Sequence, residues 1–481
     1  MAFQGRLIAP YQREGVQWMV ARETPTQGGI KGGFLCDEMG LGKTIQLIAT
    51  MLINIKPKTL IVVPKTIVHQ WKDELAKFAP HLAVYLYDGP RRCTDPQEFA
   101  GFQVVIAPYS LIATREKEQG GTPLHAIKWS RIIMDEGHEI RTRKTARHKS
   151  ALLLKSDIRW IVSGTPVFNS MKDFVNLCAF IGLDRRQVQA RTQEIRETFV
   201  IRRTKTDVSE FNQRLALPPC EFENIEIEMY PAEKNLYMSV FDKNKKKIQR
   251  LLAMHANVGM HQMHILESLL RIRQLMIHPQ LYFNGMARKY ERDPEEWTRG
   301  SKKLETLVEL IAEHPAEKSL IFCLFIEEMD FISKHLTNQN VFRIDGSVKM
   351  EDRVKQISQF KQCEGGAIFL IQIKAGGQGL NLQEATRVYI TAPSWNPATE
   401  LQAIARSHRT GQTQKVYVKK LVCNGNEEED FFSVEQAIML LQGHKSKICA
   451  EVLNDQRLAG QIPINSKSQI SLGDILNIFN V

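Results

Sequence analysis

A chain of 481 residues is longer than one compact core normally holds, so two or three domains are expected. Lys+Arg 64 against Asp+Glu 53 leaves a net charge of +11 and a pI near 9.1, a balance that favours a polyanionic partner such as nucleic acid without requiring one. The eight cysteines are scattered with no CxxC pair, which argues against a zinc module or disulfide framework and for a reducing compartment; no signal-peptide pattern heads the chain, and no apolar run reaches the ~18 residues of a membrane span.

The apolar positions of residues 6–20, among them Leu7, Tyr11 and Trp18, recur at helical spacing. Gln12 sits among them as a polar side chain able to pair with an adenine edge. Phe34-Leu35-Cys36 then reads as a short buried strand, Asp37 to Gly42 as a tight loop, and Lys43-Thr44 as the opening of an apolar helix. Strand, loop bearing Gly40 and Gly42, Lys-Thr and helix together make a phosphate cradle. Loop N–H groups face anionic oxygens, the lysine reaches the outer phosphates, and the threonine hydroxyl completes a magnesium shell. One position departs from the strict pattern: Asp37 stands where glycine is expected.

Thr59–Val63 and Val104–Ala107 read as further strands, with a helix from Lys65 to Phe78 between them. Arg131–Asp135 is a strand running into Glu136-Gly137-His138. In a nucleotide hydrolase, Asp135 would hold the magnesium shell and Glu136 would orient or deprotonate the attacking water. Ile158–Ser163 is another strand, closing on the hydroxyls of Ser163 and Thr165, which a ligand crevice at the carboxyl ends of strands would face. The basic run Arg141–Lys149 leaves beside the acidic motif, where a phosphate-backbone contact and a solvated face are equally open readings.

Residues 204–300 change character to a connector, an alternating strand and a helical stretch rich in Met and His. His255, His261 and His264 lack the acidic or cysteine partners of a metal site. Lys243–Lys247 reads as solvated, and residues 285–301 as a loop. From Ser301 the βα rhythm returns, with strands at Leu320–Leu324, Val341–Asp345, Ala367–Ile373, Arg387–Ile390 and Val416–Val422. The fold class is therefore α/β, with two doubly wound parallel-sheet lobes and a helical insertion. The lobes are expected at 1–203 and 301–425, the insertion at 204–300, and a helical brace or tail at 426–481. Two such lobes create a cleft. Arg406 and Arg409, three apart and on one face if helical, are candidates to act there on a transferring γ-phosphate.

Taken together, APYQREGVQW, DEMGLGKT, IVVPKTIVHQW, DEGH, SGTPVFN, SLIFCLF, RIDGS, KAGGQGLNL, WNPATELQA and ARSHRTGQ resemble a Swi/Snf-type ATPase of helicase superfamily two, in the right order over about residues 6–425. DEMGLGKT accommodates Asp37. The resemblance implies two RecA-like lobes and ATP and Mg²⁺ as cofactors. It implies that Gln12 reads adenine, and that Asp37, Gly40, Gly42, Lys43, Thr44, Gly377 and Gly379 lie in the nucleotide site. Thr44 and Asp135 would serve the metal, and Glu136, Lys43, Arg406 and Arg409 the chemistry. His138, Ser163, Thr165, Asn381 and Trp395 would couple the site to DNA. Three positions depart from the family's pattern without removing a catalytic group: Ala392 replaces an aspartate, Ala405 a glycine, and DEGH stands for the commoner DEAH.

LLRIRQLMIHP resembles the subgroup of transcription-termination factors and post-replication-repair translocases, and the short extent resembles the global-transactivator motors of large DNA viruses. The function implied is a duplex-DNA translocase that displaces or remodels DNA-bound complexes such as nucleosomes or polymerase, in the nucleus or at a site of viral DNA replication. No structural zinc or membrane partner is expected. A strand-separating helicase stays open, as does a non-catalytic transcription scaffold, against which the full catalytic set argues.

Overall fold

A computed structural model describes residues 7, 9–24, 29–90, 92–113, 121–164, 171–209, 218–253, 258–337, 339–373, 380–409, 411–425, 431 and 433–453. They group into two compact units, whose principal spans are Met1–Leu217 and Pro218–Ser446.

The first unit is built on β1 (Lys31–Leu35), β2 (Thr59–Val63), β3 (Val84–Leu86), β4 (Val104–Pro108), β5 (Lys128–Asp135), β6 (Lys155–Val162) and β7 (Val200–Ile201). They lie in the order β3-β4-β2-β5-β6-β1-β7, all paired parallel. Successive side chains of a strand point to opposite faces. Phe34, Leu60, Val62, Ile132 and Met134 therefore enter one core, while Leu35, Ile61, Val63 and Ile133 enter another on the far side. Apolar burial on both faces is why Leu60–Val63 and Ile132–Met134 are continuous apolar runs rather than alternating ones.

Helix α1 (Pro10–Glu23) starts with proline at its first position, where the missing N–H costs nothing. Its far end is pinned inside the unit. The Glu23 carboxylate accepts from Arg131 Nε at 2.6 Å and from Trp160 Nε1 at 2.9 Å, and Glu23 and Arg131 are both buried. Helices α2 (Lys43–Ile53) and α3 (Val68–Phe78) follow β1 and β2.

The second unit is built on β8 (Cys220–Ile227), β9 (Ser319–Cys323), β10 (Asn340–Ile344), β11 (Ala367–Gln372), β12 (Arg387–Ile390) and β13 (Val416–Cys423). Their order is β10-β11-β9-β12-β13-β8, again all parallel. The alternating segment of the expected connector is thus the edge strand of this sheet, in register with β13 from Cys220↔Val416 to Ile227↔Cys423. Three helices, Pro231–Ala253, Val258–Ile277 and Pro279–Tyr290, follow β8. The last of them takes in residues 285–290, which the sequence suggests as loop. Arg288 and Lys289 fall in its final turn, where cations suit the helix dipole, and Glu291 closes it in the left-handed region. Beyond β13, the helix Val434–Leu453 places Val434, Ala437 and Ile438 in the second unit's core. Lys303 and Glu435, both buried, pair there at 2.6 Å.

Candidate active site

The strand order brings three motifs to one edge. Leu35 of β1 is level with Val162 of β6, and Val162 with Asp135 of β5. The loop after β1, the Ser163 turn after β6 and the Asp135-Glu136 pair after β5 therefore emerge side by side. Strands lie ~4.8 Å apart, so the outer two motifs are separated by roughly 10 Å. This is the carboxyl edge where open α/β sheets bind ligands.

The loop Cys36–Gly42 turns back into α2 through Gly40 and Gly42, with φ of +91° and +76°. The positive φ favours glycine at 42, and a Cβ there would also press on Gln12 Nε2 at 2.7 Å. Gln12 Nε2 donates to Leu41 O at 3.3 Å, and Tyr11 Oη donates to the same carbonyl at 3.1 Å, so the start of α1 braces the loop. Lys43 Nζ lies along the loop and donates to Asp37 O at 2.8 Å and Glu38 O at 3.3 Å. A Cβ built on Gly164 would stand 3.7 Å from Lys43 Nζ, so the Ser163-Gly164 turn closes over the lysine.

Asp37 is fully buried and its carboxylate is held from two directions. Oδ1 accepts from Arg203 N at 3.1 Å and Nε at 2.9 Å, while Oδ2 accepts from Arg203 Nη2 at 2.5 Å and Gln46 Nε2 at 3.0 Å. The guanidinium also donates to Tyr11 O and lies over the Tyr11 ring. Burial, and then the Asp37 charge, push the Tyr11 hydroxyl up to about 12. Arg202 Nη1 donates to Cys36 O at 3.0 Å and Gly164 O at 3.1 Å. The two arginines at the end of β7 thus fasten the loop at its root. The carboxylate in the usual glycine position acts as a tie, facing cations rather than being left to repel a phosphate. Both arginines are absent from the sequence-based site. An apolar strand end followed by Arg-Arg is the signal that could have found them.

At the acidic motif, Asp135 Oδ2 accepts from the Trp71 indole at 2.7 Å and Oδ1 from Glu136 N at 2.9 Å. Burial, and then the neighbouring Glu136 charge, raise the Asp135 carboxyl to about 6. Tyr109 Oη donates to the Asp135 carbonyl at 2.8 Å. Glu136 has φ +49°, ψ +47°, a left-handed conformation costly for a residue with a side chain. His138 Nδ1 stands 3.3 Å from Glu136 Oε2 and 3.4 Å from Ser163 Oγ. The imidazole therefore links the acidic motif to the turn after β6. At Gly137 a Cβ would meet Ile161 Cγ2 at 2.8 Å, so the alanine of the commoner DEAH would require Ile161 to shift. Trp71, remote in sequence, is a further site residue that motif reading missed.

Thr44 occupies the second position of α2. Its hydroxyl and the Asp135 carboxylate are hard oxygen donors of the kind Mg²⁺ prefers. Asp135 and Glu136 are adjacent acids at a buried strand end, the arrangement a cation would stabilise. The residues present fit nucleotide phosphates and Mg²⁺.

In the second unit, the helix Pro397–Ile404 ends before Arg406 and Arg409, so the two arginines lie in a following turn rather than on a helical face. Arg406 is buried and its Nε donates to Gln402 O at 3.0 Å. The Trp395 ring carries the Arg273 guanidinium at 5.1 Å, and Arg273 Nη2 donates to Pro393 O at 2.7 Å. Asn381 is exposed. Ala392 is buried against Ile277 and Leu281, an apolar setting for the expected aspartate. Thr165, Gly377 and Gly379 lie outside the described residues.

The SNF2-related domain model matches residues 11–191 and 183–281, and the helicase conserved C-terminal domain model matches residues 302–411. The helicase-like transcription factor of Mus musculus is 28% identical over 78% of this chain and 50% of its own length. The ISWI chromatin-remodeling complex ATPase ISW1 of Saccharomyces cerevisiae is 28% identical over 89% of this chain and 39% of its own. The chain thus spans half or less of these relatives. Among solved structures, the Sulfolobus solfataricus SWI2/SNF2 ATPase core in complex with dsDNA aligns with 95% of this chain and 94% of its own, at 25% identity and a TM-score of 0.41.

Proposed function

The chain belongs to the SNF2-related family, and from that premise we propose that it is a DNA-stimulated ATPase that moves along duplex DNA and displaces or remodels what is bound there. The observation that carries the reading is the shared edge of the first sheet, where Lys43, Asp135, Glu136 and Ser163 come together. Duplex DNA as the track accords with the +11 net charge. Remodelling accords with the printed names of the relatives, and a nuclear site of action with that role.

In the proposed reaction, water attacks the γ-phosphorus of ATP in line, and the bond to the β–γ bridging oxygen breaks to leave ADP and phosphate. Lys43 and the α2 N-terminus bind the phosphates. Thr44 and Asp135 would hold Mg²⁺, which when bound offsets charge on the phosphate oxygens. The Trp71 indole keeps the Asp135 carboxylate in position. Glu136, presented by its left-handed backbone, orients the water and takes its proton. His138 is placed to report the state of Glu136 to the Ser163 turn. Arg406 and Arg409 are assigned the positive charge that acts on the transferring phosphoryl group.

The test is ATP turnover by Lys43→Ala and Glu136→Gln, with nucleotide and duplex affinity measured alongside. Turnover in either variant should fall at least 100-fold, with duplex affinity kept within a few-fold. Wild-type-like turnover would refute the assignment.

A further inference from the structure

The second unit carries a cationic cleft that the ATPase reading does not use. It lies among the helices Pro231–Ala253, Val258–Ile277 and Pro279–Tyr290, and encloses about 520 Å³. Six cations line it: Lys243, Lys246, Lys247, Arg250, Arg271 and Lys289. Glu267 is the one carboxylate among the lining residues, and it is already taken by Lys289 at 2.7 Å.

The first four cations recur at i, i+3, i+4 and i+7, so they share one face of their helix. Like charges at that spacing repel. Arg271 is set deeper. Its Nη1 donates to Gln274 Oε1 at 2.8 Å, and its Nε, shielded from solvent, finds no acceptor among the described residues. Gly285 lies directly against it, and a Cβ there would fall 1.9 Å from Arg271 Nη1 and displace the guanidinium. The guanidinium thus lies against bare backbone, on a wall shared with five other cations. Such a set is balanced by clustered anionic oxygens, which ammonium and guanidinium groups bind by charge-assisted hydrogen bonds.

We infer that this inter-helix cleft is a binding site for a small multiply phosphorylated solute, separate from the nucleotide loop of the first unit. The volume falls in the ~300–1,000 Å³ range of small-molecule sites. A duplex, whose major groove alone is about 12 Å wide, could only lie across the mouth.

The test is calorimetric titration of the full chain with inorganic tripolyphosphate, with saturating ADP present to block the nucleotide loop. One-to-one binding is expected, retained in Lys43→Ala and weakened at least tenfold in Lys247→Glu, an exposed position that does not threaten folding. Arg271→Gln, checked for an unchanged melting temperature, should lose a similar factor. Affinity for a labelled 20-base-pair duplex should stay within about twofold in Lys247→Glu. No tripolyphosphate binding in the presence of ADP would overturn the inference. So would a Lys247→Glu variant that loses duplex affinity tenfold while binding tripolyphosphate as the parent does, because the cleft would then be a nucleic-acid contact.

Discussion

Asp37 and Arg203 show how the loop after β1 accommodates a buried carboxylate. The pair is buried on the acid's side, and its partners are 166 residues apart in sequence. Breaking such a pair leaves an uncompensated charge inside the protein and costs about 3–5 kcal/mol. Arg203→Ala should lower stability by that order in denaturant unfolding, and Asp37→Asn in the same chain should recover part of it by removing the stranded charge. Trp71 poses a different test. Trp71→Phe keeps most of the packing but removes the donor to Asp135. Losing the group that orients a metal-holding carboxylate typically costs 10–100-fold in metal affinity or activity. The Mg²⁺ concentration for half-maximal turnover should rise by about that factor, whereas a purely structural role would leave it unmoved. Lys43 and Glu136 could be proposed from the sequence because each stands in a contiguous motif. Arg203 and Trp71 could not, because each acts through a partner that only folding brings near.

Elements were legible where burial is symmetrical. Thr59–Val63 and Arg387–Ile390 are interior strands, buried along their length and apolar after their first residue, and their bounds match the expected ones. The two- and three-residue strands β7 and β3 carry too little pattern, and β8 is an exposed edge strand whose membership in the second sheet depends on β13. The helix Pro279–Tyr290 is expected to depend on pH through a cap that sequence alone does not reveal. Its cap, His278, accepts from Gln280 N at 3.1 Å and stacks on Phe331 with ring centroids 4.6 Å apart. Burial, and then the His335 charge, lower its pKa to about 4. Below an unfolded value near 6.5 the unfolded chain binds the proton more readily, so stability present at pH 7 is lost as the pH falls toward 4. Between pH 7 and pH 5 the loss should be about 1–2 kcal/mol. His278→Asn keeps a capping side chain without a titrating ring. Urea unfolding of the two proteins at both pH values should show that excess loss only in the parent.

At the scale of the molecule, two all-parallel sheets bear out the α/β expectation of two lobes, and the family match agrees with the motifs that carried the resemblance. The first unit assembles its candidate site within itself, from β1, β5, β6 and the arginines after β7. That is why the strands and loops that build this candidate site could be anticipated from motif order alone. Partner choice could not, because net charge names a class of partner and nothing finer. The basic face of the helix Pro231–Ala253 makes the same point. As a sequence it is a solvated lysine run, and only the approach of Arg271 and Lys289 from two other helices makes it a cleft.

The most direct test of the proposed motor is steady-state ATP hydrolysis by the purified chain, alone and then with duplex DNA, single-stranded DNA or RNA, at low and raised salt. Turnover should rise several-fold or more with duplex, less with the other two, and the stimulation should shrink as salt screens the phosphates. Turnover that ignores duplex DNA, or responds only to single strands or RNA, would contradict the account.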